Sequence, residues 1–397
     1  MSQFSPPAQT VSTGFVVAIV GFFSSFPIVL QGLLSVGASD AQAASGLMAV
    51  TMAMGLAGVA LSLWKREPIS VAWSTPGVAL LAVTAPVEGG FAGAVAGFLI
   101  AGGLTLVAGL WRPLGRLATR IPAALAQAML AGVLISLCIA PFRALAETPY
   151  TALPIVLTWF VVGRFNRFFA VPAAVLAALA VIGLSADFSL PLPDSVLIRP
   201  LLIAPEFSLA SLLGIGLPLF IVTMATQNIP GIAILRSFGY TPPPGPLLTG
   251  VGGASVLTAP FGAPAICLAA ITAAMCCNED SHPDPRQRYW SAVMGGVFYC
   301  VFGLFAVVIT GIAAVAPPMV LATLAGVALI GIFANSAAAA LEQPEYREAA
   351  AVTFLATASG MTVFGLSAAV WGLVLGGIVL AVTRRLAAKR RSAPDGK

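Results

Sequence analysis

Apolar residues run through this chain in long blocks separated by short polar joints. A membrane-crossing helix needs about 20 mostly apolar residues. Fourteen blocks qualify as candidate crossings, each with soft edges. The first seven are residues 11–36, 41–64, 70–86, 91–111, 121–142, 149–163 and 168–186. A polar stretch at 187–207 follows, with Asp187, Asp194, Arg199, Glu206 and several prolines. The second seven are 208–235, 245–258, 262–278, 289–315, 318–340, 348–364 and 367–383. This divides the chain into a first seven-span repeat (1–186), a linker (187–207), a second seven-span repeat (208–383) and a basic tail (384–397). Seven is odd, so the second half starts from the opposite side of the membrane. An inverted repeat is the natural result, a plan common among secondary transporters.

The basic residues test the count. With the N-terminus inside and sides alternating, the inner loops hold Lys65, Arg66, Arg112, Arg116, Arg120, Arg164, Arg167, Arg236, Arg286, Arg288 and Arg347. The tail adds six more, leaving only Arg143 and Arg199 outside among 19 Lys and Arg. The positive-inside rule asks for this asymmetry. A twelve-span reading, with the third and tenth segments not crossing, puts Arg112, Arg116, Arg120, Arg164, Arg167 and Arg236 outside. Charge therefore favours fourteen crossings with both termini in the cytoplasm.

Composition agrees. Hydrophobic residues make up 59% of the 397 and charged ones 8%, with mean hydropathy +1.00. A soluble protein carries about a quarter charged residues, so a soluble enzyme, a disordered chain and a nucleic-acid binder are excluded. The net charge of +5 follows from the membrane-facing loops and tail and needs no nucleic-acid partner. Five cysteines without framework spacing and a single His282 argue against structural disulfides and a zinc site. The first 14 residues lack Lys and Arg, so the first block reads as a retained span rather than a secretory signal.

Two segments are interrupted at corresponding places. The third reads Ile69-Ser-Val-Ala-Trp-Ser-Thr-Pro-Gly77. A β-favouring start gives way to Ser74, Thr75, Pro76 and Gly77, a helix-start signal. The tenth reads Ser255-Val-Leu-Thr-Ala-Pro-Phe-Gly-Ala-Pro264. Here Val256, Leu257 and Thr258 predict the strand, and the helix start is expected around Phe261, Gly262, Ala263 and Pro264. A half-helix beginning inside the bilayer leaves about four backbone N–H groups without intrahelical partners. Lipid tolerates them only where they line a cavity or meet a ligand. Each such terminus also carries about half a positive charge. Two facing termini make an anion site without a basic side chain. A proline kink alone needs no ligand; the matched placement in both halves favours the binding reading.

Apart from Glu348, the first residue of the 348–364 block, the spans hold no Asp or Glu. Span one carries Ser24, Ser25, Phe26 and Gln31, and span eight carries Thr226, Gln227 and Asn228. Buried amides need partners. Helix–helix bonding supplies one explanation; contact with a substrate beside the half-helices supplies the other. Phe26, Trp73 and Phe261 are the aromatics chosen to flank a flat ligand. Proton coupling calls for a carboxylate, and Glu88 and Glu342 lie closest to the spans. No phosphate loop, nucleophile elbow or metal cluster points to an enzyme, and no cofactor is called for.

The stretches SSFPIVLQG (24–32), ISVAWSTPG (69–77), ATQNIPG (225–231) and GVGGASVLTAPFGAP (250–264) make the chain resemble the bacterial benzoate–proton symporter (BenE-type) family over essentially its whole length. That family is similar in turn to uracil–proton symporters and sulfate permeases. The resemblance implies an all-α polytopic fold with core and gate domains, a seven-plus-seven inverted repeat, and paired strand and half-helix segments. It implies a substrate held between segments three and ten and flanked by spans one and eight. Inner-membrane localisation in bacteria and common homodimers follow from it as well. Gln227 and Asn228 fall where uracil carriers place a glutamate–histidine pair, and Pro264 where they place a second glutamate. Loss of both acids suits an anionic substrate, which a fixed carboxylate would repel.

These expectations converge on import of benzoate or a related aromatic carboxylate together with protons, by alternating access. The carboxylate is expected at the N–H groups of 74–77 and 262–264, helped by Ser74, Thr75, Gln227 and Asn228, with its ring on Phe26, Trp73 or Phe261. Another anion or a nucleobase on the same fold, and a passive anion channel, are the alternatives.

Overall fold

A computed structural model of the chain describes residues 5–111, 122–184, 200–361 and 367–392, with positions 113 and 363. Arg112, Arg116, Arg120, Asp187, Asp194, Arg199 and most of the 187–207 linker lie outside the described residues, as does the tail beyond Ser392.

The first half begins with a broken helix, α1 (Ala8–Phe23) and α2 (Phe26–Ser35). Pro27 causes the break: it has no N–H, and its ring clashes with the carbonyl four residues back, at Phe23. Then come α3 (Asp40–Lys65), β1 (Val71–Trp73), α4 (Thr75–Ala82), α5 (Gly90–Leu110), α6 (Ala123–Glu147), α7 (Pro149–Phe165) and α8 (Ala170–Gly183). The second half opens with α9 (Ser211–Ser237), which widens to π geometry at Ser211–Gly216 and Met224–Asn228. It continues through α10 (Pro244–Thr258), β2 (Ile266–Leu268) and α11 (Ala270–Cys277). It closes with α12 (Tyr289–Leu304), α13 (Ala306–Val315), α14 (Pro318–Leu341), α15 (Arg347–Ala358) and α16 (Ala368–Ser392).

Each of the fourteen sequence blocks receives one helix, one broken helix or one strand–helix pair. Among the described residues seven helical stretches are long and apolar enough to cross a bilayer, α1 and α2 counting together as one. In both halves the third segment is a short strand followed by a half-helix. The two strands pair antiparallel, Val71 with Leu268 and Trp73 with Ile266, the geometry an inverted repeat produces. The first residues of the basic tail extend α16 as helix, so the tail is not a separate coil up to Ser392.

The helices sort into two groups. One contains α1–α5 and α9–α13, packed around the ribbon; the other contains α6–α8 and α14–α16. They meet where α6 lies on α4 and on Met224–Asn228, where α8 lies on α1, and where α14 lies on α2. Close crossings rest on glycine. A Cβ on Gly55 of α3 would come 2.5 Å from the Gly296 carbonyl of α12, and one on Gly296 would come 2.6 Å from the Gly55 carbonyl. Small residues let membrane helices approach to this distance.

The tenth segment corrects the expectation drawn from its sequence. Val256, Leu257 and Thr258 finish helix α10, and the strand lies ten residues further on, at Ile266–Leu268. The half-helix begins at Ala270 rather than at Phe261–Pro264. In an apolar environment β-branched residues do not choose a strand, because a helix satisfies their backbone at once. Pro264 marks the extended chain instead: a residue before proline is biased away from helix, and none of 263–265 is helical.

Candidate functional site

The ribbon sits in the apolar interior, where each strand edge must be satisfied internally. The Ser74 amide donates to Ala265 O (3.0 Å) and the Ala269 amide to Ser70 O (3.0 Å). In this antiparallel pairing the amides of Ile266 and Leu268 therefore point away from β1. Side chains meet both. The Ile266 N–H donates to Ser255 Oγ (3.1 Å) and the Leu268 N–H to Asn228 Oδ1 (2.9 Å). Asn228 is fully buried, and its Nδ2 turns to Met224 Sδ (3.4 Å). Its amide thus caps the outer edge of β2. Below the ribbon, Ser70 and Thr272 hydroxyls bond at 2.8 Å, linking the two halves again.

The α4 terminus forms as the Ser-Thr-Pro-Gly signal predicts. Ser74 is the N-cap and its Oγ accepts the Gly77 N–H (3.1 Å). The Thr223 hydroxyl of α9 donates to the same oxygen (2.7 Å). With Ser74 N–H in the ribbon, Gly77 N–H capped and Pro76 lacking one, the Thr75 N–H is the free amide of this turn. The α11 terminus differs. Ala269, its N-cap, offers no side-chain cap, so the amides of Ala270, Ile271 and Thr272 are left open. Ile271, the second residue of the helix, is 61% exposed, whereas Thr272 is buried.

A third helix start joins them. Ser25, between α1 and α2, accepts Trp73 Nε1–H at 2.8 Å and the Thr75 hydroxyl at 3.4 Å, while its own Oγ–H donates to Gly21 O (3.3 Å). Around this point Phe22 stacks on Phe26 (5.7 Å), tilts against Trp73 (5.4 Å) and meets Phe302 edge-on (5.5 Å). Phe23 closes the group against Phe302 (5.6 Å). Phe22, Phe26 and Trp73 are buried, whereas Phe23 and Phe302 are half-buried and form its accessible wall.

The structure thus brings together Ser24, Ser25, Phe26, Trp73, Ser74, Thr75, Pro76 and Gly77. Gln227 lies half-buried in the π stretch beside Asn228. The Thr226 hydroxyl bonds back to Val222 O (2.7 Å) within its own helix. Gln31 lies six residues beyond Ser25, about 9 Å along α2. Phe261 and Gly262 sit elsewhere. The Ser45 hydroxyl donates to Phe261 O (3.0 Å), and Gly262 turns the chain at φ 83° against the Phe91 ring. Ala263 and Pro264 lie between that turn and β2. Glu88 and Glu342 are exposed in loops. Thr223, Ser255, Thr272 and Phe302 are the contributors that sequence reasoning passed over. Thr223 stands four residues before Gln227, one turn away on the same face, a spacing that pointed to it; Phe302 sits in no motif.

A cavity of about 1170 Å³ opens among the ends of α3, α5, α9 and α10, lined by Leu61, Trp64, Leu110, Arg236 and Pro243 and reaching Met224 and Asn228. Neither Thr75 nor Ala270 lines it, so it lies behind α9 and not at the half-helix termini. Among the described residues no group of His, Cys, Asp and Glu can hold a metal.

Two helical groups, one of them built around paired strand–half-helix segments, give the architecture of a membrane transporter. Solved structures share the fold. The transmembrane domain of a cyanobacterial bicarbonate transporter, BicA, matches 95% of this chain and 96% of its own with a TM-score of 0.59 at 18% identity. Murine Slc26a9, an anion transporter in the inward-facing state, matches 97% of this chain and 70% of its own with a TM-score of 0.63 at 11% identity. The model of the benzoate membrane transport protein family, BenE, matches residues 3–382, and the chain belongs to that family. Among its relatives, the inner membrane protein YdcO of Escherichia coli is 37% identical over 98% of this chain and all of its own. The benzoate membrane transport protein of Acinetobacter baylyi is 32% identical over 91% of this chain and 92% of its own.

Proposed function

We propose that this transporter imports benzoate or a closely related aromatic carboxylate, coupled to protons. The observation that carries the reading is the pair of half-helix termini at the ends of one ribbon, beside an aromatic group with two accessible rings. The carboxylate is received at the terminus beside the aromatic group, by the Thr75 amide and hydroxyl; the uncapped amides of Ala270–Thr272 lie four strand residues away at the other end of the ribbon, about 13 Å, and contribute the field of their helix start rather than a second set of bonds. Partial positive charge at helix starts favours an anion without demanding a buried basic side chain. The ring of the substrate lies on Phe23 and Phe302, backed by Phe22, Phe26 and Trp73, where offset or edge contacts add to its burial. The A. baylyi relative carries benzoate in its name, which supports this substrate class. Ser25 and Ser74 hold the termini in place, and rocking of the ribbon-bearing group against the other exposes the site to each side in turn. Location in a bacterial inner membrane with cytoplasmic termini, and assembly as a homodimer, belong to the same proposal.

Uptake of labelled benzoate into proteoliposomes, with and without an inward-acid gradient, tests it. Accumulation above equilibrium that collapses with a protonophore is the expected result. Competition by toluate but not by sulfate or uracil defines the substrate class. Saturable uptake blind to the gradient refutes coupling, and sulfate or uracil competing as well as toluate refutes the aromatic site.

A further inference from the structure

Apart from Glu67, every Asp and Glu among the described residues is exposed. Glu67 follows α3 in the tight connection that leads into β1. Arg66 takes a left-handed conformation (φ 55°), the Ile69 amide donates to Glu67 O (2.8 Å), and the Ser62 hydroxyl donates to Ile69 O (2.9 Å). These bonds turn the Glu67 side chain inward. Its Oε2 is sealed from solvent and has no hydrogen-bond partner.

The groups facing Glu67 come from three further places. Tyr240 and the Thr241 amide come from the α9–α10 loop, Cys277 from the end of half-helix α11, and Arg288 from the start of α12; Lys65 lies on its own connection. None completes an ion pair. The Lys65 ammonium sits 3.6 Å over the Trp64 ring. Arg288, only 6% exposed, gives Nε to His282 O, Nη1 to Cys277 O and Nη2 to Pro283 O. Tyr240 donates its hydroxyl to Pro285 O (2.9 Å). The cation that acts on the carboxyl, Lys65, thus lies over Trp64, Arg288 is committed to backbone carbonyls, and the phenol is committed elsewhere. Ionising a carboxylate with a sealed, unpartnered oxygen is unfavourable.

We propose that Glu67 is the exit-side proton site of this transporter, holding its proton while the Tyr240–Thr241 loop covers it and giving the proton to water when that loop parts from it. The step is a simple acid dissociation: the O–H bond breaks, the carboxylate keeps the electron pair, and the proton passes to solvent. Burial raises the Glu67 carboxyl above its ordinary value, against the smaller pull of the Thr241 amide and Lys65. Burial likewise pushes Tyr240 up to about 12, so the phenol stays a neutral cover. The connection joins β1 to α3, and the cover joins α9 to α10. Opening this contact therefore loosens the feet of both site-bearing segments together.

The proposal rests on proton-coupled transport, and two measurements separate its failure from failure of that reading. The first needs no substrate. A carboxyl raised above 4.5 on folding contributes stability that is complete below that pH and is lost as pH rises through the raised value. Melting temperatures of wild type and Glu67→Gln from pH 4, below the ordinary carboxyl value, to pH 8 are expected to diverge, wild type falling relative to the variant as pH rises. Parallel curves overturn the proposal. The second is transport. Glu67→Gln is expected to exchange labelled for unlabelled benzoate yet lose gradient-driven accumulation, which for one proton is about ten-fold per pH unit. Glu67→Asp, which restores a titrating carboxyl, is expected to recover it. Full accumulation by Glu67→Gln overturns the proposal. No exchange by wild type overturns the substrate reading and the coupling role with it, while the melting curves still report whether Glu67 holds a proton.

Discussion

Replacing Asn228 with Ala removes the acceptor of the Leu268 N–H. The donor points away from β1, so no strand partner can take over. Asn228 is fully buried, and so is Leu268, at 1% exposure. A buried donor left without an acceptor costs about 1–3 kcal/mol. Loss of the side chain and of its contact with Met224 Sδ adds to this. A total near 2 kcal/mol amounts to about thirty-fold in the folding equilibrium. Ser255→Ala removes the equivalent acceptor of the Ile266 N–H and is expected to cost a similar amount. Thr226→Val removes a hydroxyl bonded only to its own helix, and its cost is expected to be below about 0.5 kcal/mol. Equilibrium unfolding of the three purified variants in mild detergent, followed by tryptophan fluorescence, ranks them. Asn228→Ala and Ser255→Ala should lie together, well below Thr226→Val. If Asn228→Ala matched wild type in stability but bound benzoate weakly, the edge-cap account would fail, and Asn228 would be a ligand to the substrate instead.

Other outcomes follow from the same geometry. Gly55→Val drives a branched side chain into the Gly296 carbonyl, so α3 and α12 must separate; a loss of about 1–3 kcal/mol is expected, visible as a lower melting temperature. Arg288→Ala frees the Cys277 carbonyl at the end of α11 and those of His282 and Pro283 in the loop that follows, and should cost about 2–3 kcal/mol, with Arg288→Lys recovering only part, since one ammonium cannot reproduce the planar fork. Trp73→Phe keeps the ring but loses the bond to Ser25, worth about 1 kcal/mol; unaltered stability and benzoate affinity in that variant would remove Ser25 from the site. Phe302→Ala, by opening the accessible aromatic wall, should weaken benzoate competition by about ten-fold while leaving the protein folded.

Much of this was legible in the sequence. The fourteen blocks emerged from hydropathy, because only segments that satisfy their own backbone survive in lipid. The β1–α4 switch was legible because Ser74, Thr75, Pro76 and Gly77 each carry a local signal. The β2–α11 switch was displaced by ten residues because Ala269 and Ala270 carry none. That half-helix begins where the ribbon ends, and the ribbon is fixed by residues nearly two hundred positions away. For the same reason Asn228 read as a substrate contact: a buried amide announces that it needs a partner, not which one. Glu67 escaped notice because it lies just outside an apolar block, where a carboxylate ordinarily meets water. Its burial comes from Tyr240 and Thr241 folding across it, a contact between halves that no local pattern records.

The ribbon also sets an order of events during synthesis. Its strands pair residues 195 positions apart, as with Cys267 and Ala72. At about 5–20 residues per second, the first strand waits roughly 10–40 s for its partner. Throughout that interval residues 69–74 hold unpaired amides at a depth where lipid offers nothing to bind them. The nascent first half therefore lacks a finished third crossing, and the insertion machinery or a membrane chaperone must shelter it until β2 emerges. Truncation just before residue 266 should trap such a sheltered intermediate, and extension past Leu268 should release it.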